Sequence, residues 1–166
     1  MHTRKEIYLR NFIFGVEDSL VSTVGLLSGV VIGGVSQEIV ILTGVVLILV
    51  EAFSMGIGSF LSEYAAEEMV MQRAIPQKIW AVGGAIMFIS YIIAGFIPLA
   101  PYIFLSSVSS AFSYSIILSL IVLFGLGMIG GKIGGVSAFR RGLRMFVLGG
   151  FAILVGALAA RFVAFL

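Results

Sequence analysis

Five long apolar runs shape the chain, at roughly 12–34, 39–61, 79–97, 112–131 and 145–165. Each is close to the ~20 residues that a helix needs to cross a hydrocarbon core. Polar or proline-marked breaks separate them: Ser36-Gln37-Glu38 after the first, Pro76 after the second, Pro98 and Pro101 after the third, and Ser106, Ser107, Ser109 and Ser110 before the fourth. The second run keeps its helical pattern beyond its apolar part, from Ser62 through Arg73 to about residue 75. The pattern predicts an all-α fold of five helices. The third should stop at its prolines, because proline removes a backbone donor and clashes with the preceding turn.

Composition turns these helices into membrane spans. Of 166 residues, 60% are hydrophobic and only 11% charged, and the mean hydropathy is +1.19. Soluble domains carry about 25% charged residues, so the chain reads as one five-span integral membrane domain over residues 1–166. Cysteine is absent and the single histidine, His2, stands at the terminus; thiolate chemistry and His-based catalysis are excluded. No serine has a nucleophile's partner nearby, so an enzyme is not expected. The charged residues 1–11 resemble the start of a signal peptide, but the run that follows is too long, holds acids and lacks a small-residue cleavage site. They are expected to form a retained interfacial segment before the first span.

Charge then orients the spans. Arg4, Lys5 and Arg10 precede the first; Arg73 and Lys78 lie between the second and third; Lys132, Arg140, Arg141 and Arg144 lie between the fourth and fifth. Alternating spans bring these nine to one side and leave Arg161 for the other, which by the positive-inside rule puts the N terminus in the cytoplasm and the C terminus outside or in a lumen. The arginine cluster is expected on anionic lipid headgroups, and nucleic acid is not an expected partner. An odd number of spans with no internal repeat can reach two-fold symmetry by forming a homodimer.

The candidate chemistry sits in the first two spans. A charged carboxylate at membrane depth costs at least ~2.5–3.5 kcal/mol on insertion scales, so such an acid marks a functional site by default. On a helix Asp18, Ser22, Gly25, Gly29 and Gly33 share one face, whereas Glu17 points off it. In the second span Gly44, Glu51, Met55, Gly58 and Ser62 share a face. At ~1.5 Å per residue, Asp18 and Met55 each lie roughly 9 Å from the cytoplasmic surface, and Ser22 and Glu51 roughly 15 Å. Two carboxylates and a thioether can therefore converge. Oxygen ligands with a thioether favour Fe2+, Mn2+ or a similar transition ion over Mg2+ and Ca2+, and protons compete with metal for the same carboxylates. The metal is substrate and the proton its counter-ion; no resident cofactor is implied. Glu63, Glu67, Glu68 and Met71, on the extension of the second span, form a candidate acidic antechamber that gathers cations. A Ca2+/H+ exchanger and a non-transporting membrane scaffold are the competing readings.

The same residues carry a family resemblance. Asp18-Ser19-Leu20-Val21-Ser22-Thr23, followed by Ser28-Gly29-Val30, resembles the first-helix signature D-G-[IL]-V-[ST]-T of the vacuolar iron transporter family. Ala52-Phe53-Ser54-Met55-Gly56-Ile57-Gly58 resembles its second-helix A-x-S-M-[GA]-x-G motif, and Pro98, Pro101, Tyr102, Arg141, Arg144 and Met145 extend the likeness along the chain. The resemblance implies Fe2+ transport out of the cytosol in exchange for protons, with Mn2+ and related ions accepted, by a homodimer whose pathway runs between subunits. It places Asp18 and Met55 at the family's pore acid and pore methionine, and Glu51 at a pore acid. Ser19 stands where the family has glycine, Ser59 where it commonly has an acid, and the Glu- and Met-rich cytoplasmic domain of plant-type members is missing. Only Glu63, Glu67, Glu68, Met69 and Met71 could stand in for that domain. A prokaryotic plasma membrane is the expected location, or a vacuolar membrane in a eukaryote.

Overall fold

The computed structural model describes residues 4–71 and 78–165. Its five helices are α1 (Arg4–Ile32), α2 (Gln37–Met71), α3 (Lys78–Phe104), α4 (Val108–Ile133) and α5 (Ala138–Ala164). Each contains a stretch long and apolar enough to cross a membrane. Tight turns at Gly34 (φ +80°) and Gly135 (φ +66°) reverse the chain after α1 and α4; both lie in the left-handed region that glycine occupies without a Cβ penalty.

Four boundaries differ from the sequence reading. The expected interfacial segment is already helix from Arg4, because Ile7 is buried against α3 beside Gly83 and gives the first turns an apolar seat. α3 does not stop at Pro98 but runs through both prolines to Phe104. Tertiary hydrogen bonds hold this last part: the Ser115 hydroxyl of α4 donates to the Pro98 carbonyl at 2.7 Å. The Gln37 side chain donates to the carbonyls of Tyr102 and Leu105 at 2.6 and 2.7 Å. Leu99 and Tyr102 beyond the first proline belong to a buried cluster with Leu27, Val40 and Ile48, so burial outweighs proline's local penalty. Finally, Ser109, Ser110 and the arginines at 140, 141 and 144 are helical residues rather than loop. Ser107 caps α4 by accepting from the Ser110 amide.

The helices alternate in direction. α3 packs extensively on both α1 and α2, α5 packs on α1 and α4, and α4 reaches α3 and α1. Close backbone approach fixes these contacts. A Cβ at Gly84 would stand 2.6 Å from the Gly56 carbonyl, one at Gly127 would stand 2.6 Å from the Gly142 Cα, and one at Gly29 would stand 2.8 Å from the Gly156 carbonyl. Gly29, Gly127, Gly142 and Gly156 therefore serve packing within one chain, as small residues do where lipid offers no hydrophobic drive to associate. The alternation gathers Lys5, Arg10, Lys132, Arg140, Arg141 and Arg144 at the end that holds the start of α1, with Arg161 at the other end. Arg73 lies outside the described residues.

Gly84→Leu should therefore lower the thermal stability of the purified protein in detergent, by the ~1–3 kcal/mol typical of overpacking a tight contact. Gly125→Ala, which places its Cβ in open space, should leave the melting temperature unchanged.

Candidate functional site

α1 and α2 run antiparallel, and two contacts set their register. Arg10 pairs with Glu63 near one end, and a Cβ on Gly44 would meet the Leu27 side chain towards the other. Counting along the helices from these contacts puts Asp18 level with residues 53–55 and Ser22 with residues 49–51. That is the matching of depths inferred from span lengths alone.

Asp18 and Glu51, both half-buried and about one helical turn apart in depth, lie close enough to repel each other electrostatically. A third residue in reach of both is one the sequence reading missed. Tyr91 of α3 is fully buried, its hydroxyl stands 2.7 Å from the Ser22 hydroxyl, and it lies within electrostatic reach of both carboxylates. The Ser19 hydroxyl donates to the Tyr91 carbonyl at 2.6 Å. Serine where the family pattern has glycine thus gains a specific role: it ties α1 to α3 one residue from Asp18. Tyr91 was hidden because α3 bears no charge within its apolar run. The available signal was a phenol inside that run, since a buried tyrosine hydroxyl needs a partner.

Towards the start of α1 lies a cavity of about 760 Å3 whose lining includes Met55, Glu17, Ser59, Glu63, Arg10 and Arg141. Asp18 and Glu51 are not among its lining residues. Met55 thus faces the cavity at the level of Asp18, while Asp18, Glu51 and Ser22 lie within electrostatic or hydrogen-bonding reach of Tyr91. Glu63 is buried and bonded to Arg10, with the Ser59 hydroxyl 3.5 Å from the same carboxylate oxygen. Where Ser59 replaces the family's acid, Glu63, one turn on, brings a carboxylate into the same cavity. Glu68 is exposed; the side chains of Glu67 and Met71 lie outside the described residues.

Arg141 corrects a further expectation. It is half-buried, donates to the Gly130 carbonyl at 3.3 Å and acts electrostatically on Glu17. It is an inward residue rather than a headgroup anchor. Arg140 and Arg144 remain exposed and line a second cavity of about 730 Å3 with Glu17, Ser137 and Arg141.

Among the described residues no three His, Cys, Asp or Glu side chains converge as a metal cage. One chain offers a carboxylate pair, hydroxyls and a thioether. Five membrane-length helices that carry such a pair define an integral membrane protein. Comparison with known proteins narrows the class: residues 9–83 and 68–161 match the VIT family, and the chain belongs to it. It is similar to a protein of Oryza sativa subsp. japonica described as vacuolar iron transporter homolog 2. The two are 25% identical over 165 residues, covering 89% of this chain and 86% of the relative.

Ser22→Ala and Tyr91→Phe remove the two ends of one hydrogen bond. Their destabilisations should be non-additive, with a coupling of about 0.5–1.5 kcal/mol in a double-mutant cycle of unfolding measured in detergent. Additive effects would show that the two hydroxyls do not bond.

Proposed function

We propose that this protein moves divalent transition-metal ions, Fe2+ and also Mn2+, out of the cytoplasm in exchange for protons. The observation that carries the reading is the Asp18–Glu51 pair within the membrane-spanning helices of a VIT-family chain. Two like charges at membrane depth are unfavourable unless a cation or protons neutralise them. A pair that alternates between metal and protons is an exchanger's site. A scaffold would instead bury its acids against bases, and neither carboxylate has an ion pair among the described residues. The name of the rice relative supports iron as cargo.

Direction follows from charge: the basic end of the bundle faces the cytoplasm by the positive-inside rule, and the cavity with Met55 and Glu63 opens towards that end. The site of one chain is short of ligands, which supports a homodimer in which the path runs between subunits and each supplies Asp18, Glu51 and Met55. A metal ion would pass from the cavity, past the Met55 thioether, to the carboxylate pair. The thioether favours the softer transition ions over Ca2+. The proposed location is a prokaryotic plasma membrane, or a vacuolar membrane in a eukaryote.

Proteoliposomes holding an Fe2+- or Mn2+-quenched dye test the reading. The wild type should take up both ions, faster with an opposing proton gradient than without. Asp18→Ala and Met55→Ala should each slow uptake at least ~10-fold, equivalent to ~1.4 kcal/mol of barrier. A well-folded protein with no flux overturns transport; flux indifferent to pH and to the gradient overturns proton exchange; Ca2+ flux untouched by Met55→Leu overturns the assigned cargo.

A further inference from the structure

The cavity before the carboxylate pair contains an asymmetry that packing alone does not account for. Glu63 is held at 8% side-chain exposure, whereas its partner Arg10 is 58% exposed. Only one Glu63 oxygen is used by Arg10; among the described residues Oε2 is buried without a hydrogen-bond partner, as is the amide nitrogen of Asn11, itself 2% exposed. Both unpartnered atoms flank Gly83, where a Cβ would lie 2.8 Å from the Asn11 nitrogen and 3.4 Å from Glu63 Oε2. Glycine thus keeps open the space beside a half-satisfied carboxylate. Asn11, Ser59, Ser62, Glu63 and Met55 all border one cavity.

From this arrangement we infer that Glu63 is a second cation-binding station ahead of the Asp18–Glu51 pair, and that Arg10 is a tethered cation occupying it until a divalent metal ion displaces it. The inference rests on the transport reading of the same pathway. The carboxylate is fixed and buried, while the guanidinium sits on a long side chain already largely in water. Arg10 can therefore swing away at little desolvation cost, and Glu63 cannot. A monovalent guanidinium satisfies one oxygen. A hydrated divalent ion brings twice the charge and bound waters, which can serve Glu63 Oε2 and the polar groups around it. Metal arriving from the N-terminal end thus exchanges with a resident charge, so the buried carboxylate is not left uncompensated between ions.

A plain structural ion pair predicts the opposite response to mutation, which makes the two separable. The experiment follows Mn2+ alone by loss of its free electron-paramagnetic-resonance signal. The protein is full-length and detergent-purified, in an Asp18→Asn/Glu51→Gln background that neutralises the deeper pair. One Mn2+ per chain should remain. It should bind about 10-fold tighter after Arg10→Gln, with wild-type affinity after Arg10→Lys, and be lost after Glu63→Gln, while the melting temperature shows each variant folded. No saturable Mn2+ in that background, or Arg10→Gln leaving affinity unchanged or weaker, overturns the inference. Liposome flux separates this from the wider reading. Absent wild-type flux overturns transport while Mn2+ binding still decides on the station; normal flux with no response to Arg10→Gln in binding overturns the station alone.

Discussion

Holding two carboxylates within electrostatic reach of each other inside a membrane is the constraint to which the rest of this structure answers. Like charges in a poorly solvated layer repel, and α1 and α2 touch each other less than either touches α3. α3 lies against both α1 and α2, made possible by the backbone approach of Gly56 to Gly84 on one side and by the Ser19–Tyr91 bond on the other. Tyr91 then lies within electrostatic reach of both acids and ties its hydroxyl to Ser22. The acids' proximity is the product of a three-helix arrangement.

Much of that arrangement could be read from the residues. Five apolar runs became five helices, and counting rise per residue matched Asp18 and Ser22 to the correct stretch of α2, because helix length and antiparallel direction leave little freedom. What could not be read has a common cause. The continuation of α3 past Pro98 depends on hydrogen bonds from Ser115 and Gln37, which are remote in sequence. Arg141 turns inward because α5 begins at Ala138, earlier than its apolar run suggests. Tyr91 carries no charge and stands in an unbroken apolar run. Local propensity and composition describe a helix's own residues, whereas these features belong to contacts between helices. That Met55 lines the cavity while Asp18 and Glu51 do not is of the same kind, since a shared helical face says nothing about which neighbour each turn meets.

Membership of the VIT family gives these contacts their meaning, and the chain's departures from the family pattern are informative in turn. Ser19 adds a hydrogen bond where glycine could make none. Ser59 and Glu63 together restore a carboxylate to the cavity. With no Glu- and Met-rich domain between α2 and α3, the proposed gathering of cations is assigned to residues on the helices themselves, and Glu63 with Arg10 is the set proposed for it.

The central claim is that a metal ion rests where Asp18 and Glu51 meet. Anomalous X-ray diffraction from crystals grown with Mn2+ or Co2+ tests it most directly. The account predicts an anomalous peak within coordinating distance of the Asp18 and Glu51 carboxylates, and its disappearance in Asp18→Asn/Glu51→Gln crystals. Ordered crystals of the wild-type protein with metal bound only at exposed acids such as Glu68, and none between α1 and α2, would contradict it.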